Sequence, residues 1–114
     1  MKAANDNVNL IDLREDMKQF LAVLENELGR ELIITSGYRS LDHPIEKKKK
    51  KQGPHTFGLA VDVVAIGGDE VFEIVKIAMD LGCKRFGISR KNNFIHMDLC
   101  NEEHGKVPRA IWTY

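Results

Sequence analysis

The chain has no excess charge of either sign, few cysteines, no long apolar run and no internal repeat, and each absence removes a class of function. Its 17 basic and 17 acidic residues cancel to a net charge of zero. No global field therefore draws it to nucleic acid or to an acidic partner, and any electrostatic preference must be local. No stretch of eighteen apolar residues exists to span a bilayer, so no membrane partner is expected. The opening segment "MKAANDNVNLIDLRED" lacks the apolar core and cleavage site of a signal peptide, and the expectation is a soluble protein made in the cytoplasm. Two cysteines, Cys83 and Cys100, are too few for a disulfide scaffold and lack CxxC spacing; both are expected to be reduced, semi-buried small hydrophobes.

What is present suits one domain spanning residues 1–114, since 43% apolar residues can fill a single core. From Asp12, the residues Leu13, Met17, Phe20, Leu21, Leu24 and Leu28 recur at helical spacing, with Asp12 and Glu15 as a capping pair and Gly29 as the stop. "ELIITS" reads as a short strand ended by "SGYRS". Residues 40–56 hold two prolines, a lysine run and a glycine, which predicts a long loop without an element of its own. "GLAVDVVAI" reads as a buried strand and Glu70 to Leu81 as a second amphipathic helix, closed by Gly82. "KRFGIS" and "FIHMDL" flank "RKNN" as an antiparallel hairpin with Asn92 and Asn93 in or beside its turn. The tail "PRAIWTY" adds a last strand or packs Trp112 on the core. This order of elements predicts an α+β fold: a small, mostly antiparallel sheet with helices packed on one face.

The stretch "HTFGLAVD" carries an ionisable group, Asp62, into a strand whose same-face neighbours are Ala60 and Val64. A carboxylate in an apolar setting is costly unless a hydrogen bond, a cation or a metal compensates it. In "FIHMDL" the alternation of a strand puts Phe94, His96 and Asp98 on one side. If the two strands are neighbours, Asp62 and His96 converge and His55 closes over them. Two imidazoles and a carboxylate, with a fourth position left for water, are what a catalytic zinc site requires, and the cation would neutralise Asp62. Gly58 within the motif suits a sharp turn or a close backbone approach. A strand histidine is more often hydrogen-bonded and inert, so spacing alone leaves both readings open.

"SGYRS", "HTFGLAVDV" and "FIHMDL", in that order and followed by an aromatic tail, resemble the zinc D-Ala-D-Ala carboxypeptidases and phage L-alanyl-D-glutamate endopeptidases of peptidase family M15, which have a hedgehog-like and lysostaphin-like fold. The resemblance runs from about Ile33 to Trp112. It implies that His55, Asp62 and His96 are the zinc ligands. It also implies that Arg39 holds the substrate carboxylate or carbonyl and stabilises the oxyanion, a task suited to a charged planar fork of donors. Ser36 and Tyr38 are expected to serve the turn and its packing.

Two departures stand out. Where members often carry an acidic general base, three positions before the last histidine, this chain has Asn93, and an amide cannot accept the proton. Asp98, about 7 Å along the strand from His96, is the substitute candidate, either as base or as a group orienting the ligand histidine. Glu102, Glu103 and His104 lie just downstream as further candidates. Gly53 stands where a serine is usual, two positions before the first ligand. The lysines Lys47 to Lys51 read as a solvated loop or as a cationic lip for anionic wall polymer, and His43 as exposed.

The resemblance implies a monomeric zinc peptidase that cuts the peptidoglycan stem peptide, as a carboxypeptidase or a phage endolysin reaching the cell wall after cytoplasmic synthesis. The alternative is a domain that holds zinc and binds wall fragments or a protein without efficient catalysis.

Overall fold

The structure, a computed structural model, describes residues 1–114. Six strands form one sheet: β1 (Lys2–Ala3), β2 (Ile33–Ser36), β3 (Ala60–Val64), β4 (Arg85–Ser89), β5 (Phe94–Asp98) and β6 (Ala110–Thr113), in the spatial order β1-β2-β3-β5-β4-β6. The four central strands are antiparallel neighbours, but β1 runs parallel to β2 and β6 parallel to β4. The sheet is therefore mixed, not mostly antiparallel as the sequence suggested. Both edges result from crossover connections: α1 (Glu15–Leu28) separates β1 from β2, and residues 99–109 carry the chain past β4 before β6 begins.

One face of the sheet is apolar. Ile34, Val61, Val63, Phe86, Ile95 and Met97 form the core with Met17, Phe20, Leu21 and Leu24 of α1 and with Ile74 and Ala78 of α3 (Gly68–Asp80). The helical periodicity is what places those side chains on the inner stripe. Gly29 closes α1 in the left-handed conformation, φ 73°. The start of α1 differs from the expected capping pair. Asp12 exchanges hydrogen bonds with Asn9 instead, and the helix begins after Arg14 with no side-chain cap. The Arg14 N–H already donates to the Gly58 carbonyl at 2.9 Å, which pins the helix entry to the loop that carries His55.

The segment expected to be a loop contains two short elements. Pro44 opens a one-turn helix, α2 (Pro44–Lys47), and Pro54 opens a 3₁₀ turn, Pro54–Phe57. Proline suits the first position of a helix because no N–H is needed there, so these prolines begin structure instead of breaking it. The hairpin forms as expected, with Ser89 opposite Phe94 and Asn93 at φ 56° in its turn. No helix is long and apolar enough to cross a membrane.

Candidate metal centre

The second face of the sheet is polar, and its register builds the site. Opposite positions form one row across five strands: Ser36, Asp62, His96, Gly87 and Trp112. Ser36 joins that row only because β2 slips by one residue at Thr35, whose hydroxyl donates to the Asp62 carbonyl at 3.4 Å. Such irregularities re-aim the residues that follow them. Gly87 has no side chain, and the indole Nε1 of Trp112 occupies the space a Cβ would fill. The indole thereby comes to lie 5.4 Å from the His96 ring.

His55 enters from outside the sheet, on the 3₁₀ turn. Gly58 ends that turn at φ 72°, with Asp12 O 3.1 Å from where a Cβ would stand, so it serves both the turn and a close backbone approach. His55, Asp62 and His96 then form one cluster whose ligand atoms all lie within 4.8 Å of one another. Asp62 Oδ1 is 3.4 Å from His55 Nε2 and 3.1 Å from His96 Nδ1. Tetrahedral zinc with bonds of about 2.0–2.1 Å spaces its ligand atoms by about 3.3 Å, which the two separations from Asp62 match.

The ring nitrogens facing away from the cluster settle which tautomers are compatible with a metal. His55 Nδ1 lies 2.8 Å from the Gly37 carbonyl, an acceptor only, so Nδ1 carries the proton and Nε2 presents a lone pair. His96 Nε2 lies 2.6 Å from Asp98 Oδ2, which accepts its proton and leaves Nδ1 as the ligand atom. The two histidines thus use different nitrogens. Without an ion, burial would raise the Asp62 carboxyl, but hydrogen bonds with His55 and His96 outweigh it and hold the group well below the usual carboxylate range. Burial would likewise depress the His96 imidazole, and Asp62 and Asp98 together raise it.

Asp98 sits behind His96, away from the cluster. It is fully buried, and it accepts from Arg85 Nε at 2.7 Å and from the Cys100 N–H at 3.1 Å as well as from His96. Burial pushes its carboxyl up, and His96 and Arg85 pull it below the ordinary range. A carboxylate with both oxygens engaged orients a ring and is poorly placed to take a proton from water. Arg85 also donates to the Val107 carbonyl at 2.8 Å, and its guanidinium lies 5.2 Å from the Trp112 ring centre. Sequence reasoning missed Arg85, although counting back from the hairpin turn pairs it with Asp98 as an opposite charge across the strands.

Arg39 follows the strand that brings Gly37 to His55, and its N–H donates to the His55 carbonyl at 3.2 Å. Arg39, Asp62, Ser36 and Phe94 line one cleft of about 340 Å³. His43, expected to be merely exposed, lines the same cleft and caps α2 through Nδ1. Asn93 is exposed in the hairpin turn. Glu102 and Glu103 are exposed in a 3₁₀ turn, and His104 is engaged by the Asn101 N–H and by the Phe57 ring at 4.9 Å. Cys83 and Cys100 are free thiols, pushed up by burial to about 11 and about 12.

No curated protein and no solved structure matches the chain. The family model described as Peptidase M15 matches residues 2–98, a span that ends on Asp98 and contains Arg39, all three members of the cluster and the whole of β1 to β5. The chain belongs to the peptidase M15 family.

Proposed function

We propose that the protein is a zinc peptidase that hydrolyses the stem peptide of bacterial peptidoglycan. One observation carries the reading: two histidines and a carboxylate converge in one cluster, and its carboxylate, Asp62, lines a cleft together with an arginine. Bound zinc supplies Lewis acidity toward a carbonyl and toward water. His55 Nε2, Asp62 and His96 Nδ1 would hold it, and nitrogen and oxygen donors at an open site favour zinc among divalent ions.

The chain's own groups do the rest. Asp98, anchored by Arg85, keeps His96 in one tautomer and one orientation. Trp112 packs beside His96, with ring centres 5.4 Å apart, and its contact with that ring helps to hold it in place. Arg39 presents its guanidinium to the cleft, where it binds the carboxylate or the developing oxyanion of the peptide. The chain would act as a monomer on the cell wall, as a carboxypeptidase or an endolysin-type endopeptidase.

Asn93 favours a second reading, a zinc-holding domain that binds wall peptides without efficient hydrolysis, because no ionisable group stands at that turn position. Purified peptidoglycan is incubated with zinc-loaded protein and the products are weighed by mass spectrometry. New fragments that vanish with EDTA are the expected result, and their masses name the bond. Intact peptidoglycan, with about one zinc per chain by elemental analysis, overturns the enzyme reading in favour of the binding domain.

A further inference from the structure

Glu46 lies on the short helix α2, in the segment between Arg39 and His55. Its carboxylate is almost fully buried, and one oxygen, Oε2, accepts from Arg39 Nη1 and from Lys49 Nζ, each at 3.1 Å. The other oxygen, Oε1, is buried without any partner. That oxygen points at Gly53: a Cβ there would stand 2.5 Å from Oε1 and 2.7 Å from Lys49 Nζ. The glycine found in place of the usual serine is therefore the space in which Glu46 sits.

A half-satisfied buried carboxylate is a poor device for stability, and it calls for an explanation. Its geometry offers one. The bond to Glu46 is the one side-chain hydrogen bond Arg39 makes within the chain, and it engages a single Nη. A guanidinium has five donors in a rigid fork; with Nη1 held by Glu46, Nε and Nη2 have no side-chain or backbone partner within the chain, and Arg39 lines the cleft. A carboxylate alone would also cancel the arginine's charge and compete with an anionic ligand. Lys49 prevents that, since two cations facing one carboxylate leave the trio with a net positive charge.

We propose that Glu46, Lys49 and the side-chain-free Gly53 form a clamp that positions Arg39 for a carboxylate or oxyanion of the bound peptide. Glu46 and Lys49 act through Arg39 and are positioning residues. The clamp deepens the peptidase reading and rests on it for its catalytic consequence, while its geometry stands independently.

The test compares wild type, Glu46→Gln, Arg39→Ala and the double variant, all zinc-loaded, on peptidoglycan fragments, with melting temperature and zinc content measured for each. Glu46→Gln is expected to keep its zinc and lose about ten- to a hundredfold in kcat/KM through misplacement of the arginine. The double variant should be no worse than Arg39→Ala alone, because both changes remove the same interaction. Glu46→Gln with wild-type kinetics, or losses that add in full, overturns the clamp while leaving the peptidase reading intact. A second measurement needs no activity: the ¹⁵N spectrum of the Arg39 guanidinium, identified by its loss in Arg39→Ala. Hindered rotation in the wild type that is relieved in Glu46→Gln supports the clamp, and free rotation in the wild type overturns it. An inert wild type ends the peptidase reading, and the guanidinium spectrum alone then decides for or against the clamp.

Discussion

Two arginine–carboxylate pairs flank the cluster, and they are built differently. Arg85 and Asp98 face each other across β4 and β5, 2.7 Å apart, and every oxygen of the carboxylate has a partner. Arg39 and Glu46 meet at 3.1 Å, one in the loop after β2 and the other on a one-turn helix, and one oxygen has none. The first pair is fixed by sheet register and holds a histidine of the cluster. The second is held by loop packing and faces the cleft where substrate would lie. Sheet register thus holds the pair behind the cluster, and side-chain packing in a loop holds the pair in front of it.

Removing Asp98 should break the comparison most severely. Asp98→Ala leaves Arg85 buried with no counter-charge and His96 Nε2 with no acceptor, a loss of about 3–5 kcal/mol of stability in urea unfolding. Its zinc affinity should fall about ten- to a hundredfold in competition with a chelator. Unfolding and zinc binding like the wild type's would show that Asp98 anchors neither partner.

Glu46→Gln should cost less, about 1.5–3 kcal/mol at neutral pH, because the amide keeps the shape and loses two charge-assisted bonds. The sign of its pH dependence follows from the shift. Burial raises the Glu46 carboxyl, but Lys49 and Arg39 hold it below its ordinary value. Its stabilising contribution is therefore complete above the unfolded-state value and is lost as pH falls through the lower, folded one. Wild type and variant should converge in stability toward acid, read by urea midpoints across the acid range. A gap that persists unchanged at the lowest pH would mean that Glu46 acts through packing alone.

The same contrast explains what the sequence made legible. Period-two alternation put Phe94, His96 and Asp98 on one face, and the apolar stripe of α1 located the core, because strand and helix periods act within a few residues. The hairpin turn even contained the register that pairs Arg85 with Asp98. Glu46 had no such signal. In "DHPIEKKKKKQGP" it reads as one more charge in a solvated loop, and only the folding of that loop over Gly53 buries it. The parallel edges β1 and β6 were hidden for a related reason: strand direction depends on where a connection crosses the sheet, and residue pattern carries no record of it.

The smallest expected effect sharpens the boundary of the second pair. Lys49 belongs to the clamp, whereas Lys47, Lys48, Lys50 and Lys51 are exposed and make no ion pair. Lys50→Gln with Lys51→Gln should change stability by no more than about 0.5 kcal/mol. A cationic lip acts at a distance, within a Debye length of about 8 Å at physiological salt, so its influence should appear on an anionic polymer and vanish on a small neutral peptide. Rates of wall solubilisation measured from low to high salt should fall more steeply for the wild type than for this variant, with equal rates on the small peptide. Parallel salt curves would make these lysines solvated charges only, and would leave Lys49 as the one member of the run with a role at the site.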